Sequence, residues 1–165
     1  MAGAVQFNHK IVAFYQPLRN KKIDAFMRKN RQRFGTELIP KACVAEPFTA
    51  DRERTTTFFF GADQSPLSLK TAHWMTFLNQ DTACMTGHEF FAKKYNLPVV
   101  YFDVQRAKRG FYTVELSLIE DNAAETTPGE ITEKYTRKLE EIIKANPEHY
   151  LWSHRRWKRK RPKKM

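Results

Sequence analysis

An α/β fold, a mixed sheet flanked by helices, is predicted by two observations. Short β-branched and aromatic runs alternate with longer segments whose apolar residues recur at helical spacing. The 165 residues, 41% of them hydrophobic and thirteen of them phenylalanine, supply enough material for one domain with a core. No internal repeat is visible.

The elements follow in order. Residues 10–15 (Lys-Ile-Val-Ala-Phe-Tyr) predict a short buried strand, and Pro17 and Asn20 mark the turn after it. Ile23, Phe26, Met27 and Asn30 lie at helical spacing, with Gly35 placed to end that helix. A weaker helix is expected over 41–46, broken by Pro47. Thr55-Thr56-Thr57-Phe58-Phe59-Phe60 predicts a central strand, which stops at the loop Gly61-Ala62-Asp63-Gln64-Ser65-Pro66. Residues 67–85 give no clear period. Gly87 to Tyr95 predicts a helix with Phe90, Phe91 and Tyr95 on one side. Residues 98–104 and 111–119 predict a hairpin around the turn Ala107-Lys108-Arg109-Gly110. Thr127-Pro128-Gly129-Glu130 has the form of a capping box. Ile131, Tyr135, Leu139, Ile142 and Ile143 then line one face of a helix that stops before Pro147.

The formal net charge is +11, and much of it sits at one end. Arg155, Arg156, Lys158, Arg159, Lys160, Arg161, Lys163 and Lys164 follow one another with no acid among them. Such a run seeks an anionic partner: nucleic acid, an acidic membrane face or a phosphorylated substrate. Disordered basic tails are poor in aromatic residues. Leu151, Trp152 and Trp157 therefore predict that the first part of the run docks on a core. No apolar run reaches the roughly eighteen residues of a membrane span, and Met-Ala-Gly-Ala-Val-Gln-Phe is too short and polar for a signal peptide. Cys43 and Cys84 have no metal-like spacing and read as reduced thiols.

Acyl transfer by a histidine base with a nearby carboxylate commonly uses His, four residues, then Asp or Glu. Five residues beyond His9, His73, His88, His149 and His154 stand Phe14, Leu78, Lys93, His154 and Arg159. None is acidic. There is no nucleophile elbow, P-loop, dinucleotide fingerprint or zinc pattern either. What remains is polar groups at strand ends and loops. Asp63 follows a strand where α/β proteins bind ligands, or is a turn residue bonded to nearby backbone. Arg31 and Arg33 close a helix, either for function or as a solvated, dipole-compensating end. Arg106, Lys108 and Arg109 crowd a hairpin turn that is otherwise an exposed, soluble one. His154 has a plain reading as a partly buried structural histidine.

Several blocks together resemble the bacterial lipid A biosynthesis acyltransferases, the late lauroyl/myristoyl transferases. The blocks are Phe14-Tyr15-Gln16-Pro17-Leu18-Arg19-Asn20-Lys21-Lys22-Ile23-Asp24 and Arg31-Gln32-Arg33-Phe34-Gly35, then Ala62-Asp63-Gln64-Ser65-Pro66. Thr82 through Gly87 with Glu89, then Tyr101 to Tyr112, follow. Trp152-Ser153-His154-Arg155-Arg156-Trp157-Lys158 with Arg161-Pro162 is similar to the family's closing signature. The blocks stand in family order over nearly the whole chain.

The resemblance implies an incomplete glycerolphosphate-acyltransferase-like fold, with 1–153 as the C-terminal part of an acyltransferase domain and 154–165 as basic signature and tail. It implies transfer of a fatty acyl group from acyl-carrier protein to a hydroxyl of a lipid A precursor, with no cofactor and no metal. It places the protein peripherally at the cytoplasmic face of the inner membrane, on an anionic surface, with no nucleic-acid partner. Family members use a His-x4-Asp/Glu base and cationic or N–H donors to the oxyanion. The sequence lacks that motif and resembles the C-terminal half of the family, so the expectation is a truncated member, inactive alone. Gln16 stands where the family often has a basic residue. By position Arg31 and Arg33 match an Arg-x-Arg near the active site and would orient the acceptor phosphate or stabilise negative charge. Asp63 would orient an Arg or a water. Arg106, Arg109, His154, Arg155, Arg156 and Lys158 would form a surface for anionic partners. Phe58, Phe59 and Phe60 either line an acyl site or are plain core. The alternatives are a small basic nucleic-acid-binding protein and a non-catalytic module that binds anionic lipid.

Overall fold

The computed structural model describes residues 8–50 and 53–162. The expected solvated end, Lys163 to Met165, lies outside them, as does the opening Met1 to Phe7. The chain divides into two compact units, Met1–Gly61 and Ala62–Met165.

The first unit is built on a parallel three-stranded sheet. Strand β1 (Lys10–Tyr15) lies between β2 (Glu37–Pro40) and β3 (Thr56–Phe59), with Ala13 paired to both Leu38 and Phe59. Parallel neighbours need a crossover, and helix α1 (Lys21–Gln32) supplies the one between β1 and β2. The run at 55–60 is thus a strand, but at an edge; the centre is β1. The expected helix at 41–46 is replaced. Glu37–Pro40 pairs with β1, a 3-10 turn covers Lys41–Cys43, and the four-residue helix α2 (Glu46–Thr49) carries Pro47 in its first turn. Proline fits there because the first helical N–H groups need no intrahelical partner.

The second unit holds two antiparallel hairpins and two helices among the described residues. Strands β4 (His73–Phe77) and β5 (Gln80–Cys84) fill the stretch that gave no period. Their turn puts Leu78 and Asn79 at positive φ, +48° and +60°, as a tight hairpin turn requires. A leucine is costly there. The Leu78 N–H donates to the buried Glu140 carboxylate at 3.1 Å, which holds the turn. Helix α3 (Gly87–Tyr95) forms as predicted, burying Phe91 but leaving Phe90 exposed. Strands β6 (Val99–Lys108) and β7 (Phe111–Glu120) make the expected hairpin. Parallel and antiparallel pairing, expected in one mixed sheet, is therefore divided between separate sheets.

Helix α4 (Glu130–Ala145) buries Ile131, Leu139 and Ile143. Phe77, Leu139 and Ile143 form one core cluster, with Tyr101, Tyr135, Tyr150 and Trp157 against it. The cap differs from the predicted box. Glu130 does reach back to the Thr127 N–H at 2.9 Å, but the Thr127 hydroxyl donates to the same carboxylate and Gly129 takes a left-handed conformation. No helix among the described residues is long and apolar enough to cross a membrane.

Candidate functional site

The Arg-x-Arg pair lies in the first unit, at the end of α1. Asn20 starts this helix: its Oδ1 accepts from the Lys22 and Ile23 N–H groups at 3.0 and 3.2 Å. Asp24, the residue α1 buries, accepts the Leu18 N–H at 2.8 Å and ties the Pro17–Asn20 loop to the helix. Gly35, at φ +86°, turns the chain away. Arg31 and Arg33 are exposed and form no salt bridge among the described residues. The Arg33 guanidinium sits over the Phe34 ring at 4.8 Å. Beside it is a shallow depression lined by Ala25, Arg28, Lys29, Gln32 and Arg33, with three cations and no acid. Such a surface can take a phosphate by bidentate guanidinium contact.

Phe58 and Phe60 stand on the other side of the question raised for the phenylalanine run. Phe48 stacks on Phe58 at 4.1 Å between centroids, and Phe14 meets Phe60 at 4.6 Å. They form an aromatic cluster within the first unit in which Phe58 and Phe60 are half-buried, while Phe59 is exposed.

In the second unit the 62–67 loop and the closing segment are bonded together. Tyr150 Oη donates to the Asp63 carbonyl at 3.3 Å. The Ser65 N–H donates to His154 Nε2 at 3.0 Å, so the ring proton sits on Nδ1. Arg159 donates to the Leu67 carbonyl at 3.2 Å. Arg156 is 4% exposed, donating to the Ala83 carbonyl at 2.7 Å and to Cys84 Sγ at 3.5 Å. Trp157 Nε1 donates to Thr82 Oγ1 at 2.9 Å. Arg161 grips the Asp81 carboxylate with two bonds, at 2.9 and 2.7 Å. His154 and Arg156 thus face inward, and the exposed members of the expected cationic set are Arg106, Arg109, Arg155 and Lys158. Trp157 docks as predicted, whereas Leu151 and Trp152 stay about half exposed. Trp152 instead stacks edge-on against Tyr150 and donates to the Pro147 carbonyl at 2.6 Å.

Asp63 is half-buried near three phenols. Burial, then the Asp63 charge, raises the pKa of Tyr135. Burial raises that of Tyr101 first, with Asp103 and Asp63 adding to it. Tyr150 is raised by burial, partly offset by Arg156. All three remain hydroxyl donors at neutral pH. No spacing signal in the sequence joins these residues to Asp63, because their only visible pattern is apolar.

A second polar group joins α3 to the start of α4. The buried Glu89 carboxylate accepts the Thr132 N–H at 3.0 Å, the Thr132 hydroxyl and the Gly129 N–H. A carboxylate is favourable at a helix N-terminus. His88, next to it, has both ring nitrogens shut off from solvent with no hydrogen-bond partner, and lies edge-on to Tyr135 at 5.2 Å. Burial pushes its pKa down to about 4. The fold also brings His73 to Glu133 at 2.8 Å across sixty residues. Linear spacing could not show that pair. Its chemistry is that of a histidine oriented by a carboxylate, but the ring lies against Gly129, where an added Cβ would fall 2.5 Å from it. An acceptor hydroxyl has no room on that side.

The geometry offers a basic surface at the end of α1 and, in the second unit, a 62–67 loop hydrogen-bonded to the closing segment. Of the histidines, His9 and His149 are exposed without a carboxylate partner among the described residues, and His73, partly exposed, is paired to Glu133. The model of the family described as bacterial lipid A biosynthesis acyltransferase matches residues 3–159. A comparison with curated proteins gives no match.

Proposed function

Because the chain belongs to the bacterial lipid A biosynthesis acyltransferase family, we propose that it serves acyl transfer to a lipid A precursor by holding the phosphorylated acceptor. The observation that carries this reading is the family match over residues 3–159, within which Arg31 and Arg33 stand exposed, with no salt bridge among the described residues. In the reaction the acceptor hydroxyl oxygen bonds to the acyl carbon of a thioester carried by acyl-carrier protein. The carbon–sulfur bond breaks, and the hydroxyl proton ends on the released thiol. A general base must first accept that proton. None of the five histidines of this sequence has the required acid five residues on, and Gly129 blocks one side of the His73 ring. The proposed division is therefore binding by Arg31 and Arg33, with Asp63 fixing the loop that the closing segment grips, and no base among these 165 residues.

The parallel sheet and its α1 crossover support a glycerolphosphate-acyltransferase-like fold. The exposed cations Arg106, Arg109, Arg155 and Lys158 suit acidic acyl-carrier protein and the anionic cytoplasmic face of the inner membrane. The test is an acyl-transfer assay with carrier-bound laurate or myristate and a lipid A precursor. The purified chain should give no product above the no-protein control. Robust turnover would overturn the absence of a base and redirect attention to His73 and Glu133.

A further inference from the structure

The β6–β7 hairpin carries a face on which Phe102 is half-buried while the other apolar side chains are exposed. Its register puts Val100 opposite Leu118, Phe102 opposite Leu116 and Val104 opposite Val114 on one face, ending at Arg106 opposite Tyr112. The other face pairs Tyr101 with Ser117, Asp103 with Glu115 and Gln105 with Thr113. Tyr101 is the anchor of that polar face, packed on the Phe77, Leu139 and Ile143 cluster. On the apolar face Val104, Leu116 and Leu118 are 47%, 51% and 63% exposed. Each strand has ten residues, so the ribbon is roughly 33 Å long. A two-stranded ribbon is at best marginally stable in water, and a row of apolar side chains this size marks a contact surface.

The distal end says which surface. From Val104 to Val114 there are three cations, Arg106, Lys108 and Arg109, two aromatics, Phe111 and Tyr112, and no acid. Lys108 Nζ lies over the Phe111 ring at 4.4 Å, so cation and aromatic share one depth. Apolar side chains beside aromatics, with cations at the same level, match the boundary between acyl chains and anionic headgroups. We propose that the apolar face of the β6–β7 ribbon beds into an anionic lipid surface, with its Arg106–Tyr112 tip at the headgroups. The proposal deepens the reading above and rests on it for the lipid nature of the acceptor.

The experiment is flotation of the 165-residue chain with vesicles of phosphatidylglycerol and phosphatidylcholine, free of any lipid A precursor, against vesicles of phosphatidylcholine alone. The chain should float with the anionic vesicles, and the double variant Val104→Glu/Leu116→Glu should weaken that by roughly tenfold or more. Both positions are solvent-facing, and an unchanged thermal transition would show the variant folded. In a second measurement, Phe111→Trp should shift its fluorescence to the blue and be quenched by brominated phosphatidylglycerol. Flotation unaffected by the double substitution would overturn the proposal. So would a dimer in sedimentation that the same substitution dissolves, since a second copy would then cover the face. Binding of a detergent-dispersed phosphorylated acceptor should survive Val104→Glu/Leu116→Glu; its loss in the native chain would count against the function proposed for Arg31 and Arg33, not against the ribbon.

Discussion

Gly129 shows how much one residue without a side chain can hold. Its φ of +92° is costly for any residue with a Cβ, and that Cβ would strike the His73 ring at 2.5 Å. Gly129→Ala should therefore lower the unfolding free energy by about 2 kcal/mol or more, measured by urea denaturation. His88 gives a pH signature. Its pKa in the folded chain is pushed down to about 4 by burial, from an ordinary value of 6.5. The unfolded chain binds the proton first as pH falls. Stability from the neutral, buried ring is complete above pH 6.5 and is lost as pH drops towards 4, by on the order of 3 kcal/mol. His88→Phe should remove most of that dependence between pH 7 and pH 4. An unchanged slope would mean that the ring is protonated with little cost in the fold. Neither residue's role was legible beforehand: Gly129 sat inside an apparent capping box, and His88 had no acid at the searched spacing.

At the level of elements, the closing segment divides into inward and outward positions. Arg156 is buried on the Ala83 carbonyl and Cys84, while Arg155 and Lys158 are exposed. Arg156→Ala should cost about 2–4 kcal/mol because it leaves a buried carbonyl without its donor. Arg155→Ala and Lys158→Ala should each stay within about 0.5 kcal/mol. Thermal or urea unfolding of the three variants checks this contrast. The aromatic residues among the cations predicted docking correctly for Trp157, since a large apolar ring gains most by burial. They misplaced Leu151 and Trp152, because the 3-10 turn at Pro147–His149 redirects the chain and Trp152 satisfies its N–H locally. Strand β2 was hidden for a related reason. Four residues flanked by Thr36 and Lys41 are too short for a period to register, and the neighbour β1 determines their conformation.

Across the whole molecule, strongly periodic segments were legible: β1, α1, α3, the β6–β7 hairpin and α4 all stand where their patterns place them. The β4–β5 hairpin was not, because its turn is Leu78-Asn79, which carries no glycine and depends on a distant carboxylate, Glu140. The candidate site was legible only as ordered blocks. The fold then showed which blocks meet: Asp63 and Ser65 with Tyr150 and His154, Ala83 and Cys84 with Arg156. Near the equally exposed Arg28 and Lys29, Arg31 and Arg33 are exposed at the end of α1. Their role is the central claim, and equilibrium binding of a detergent-dispersed, phosphorylated lipid A precursor measures it directly. The native chain should bind, and Arg31→Ala/Arg33→Ala should weaken binding by roughly tenfold or more, since each guanidinium–phosphate contact contributes about 1.5–3 kcal/mol. Equal affinity of the native and doubly substituted chains would contradict it.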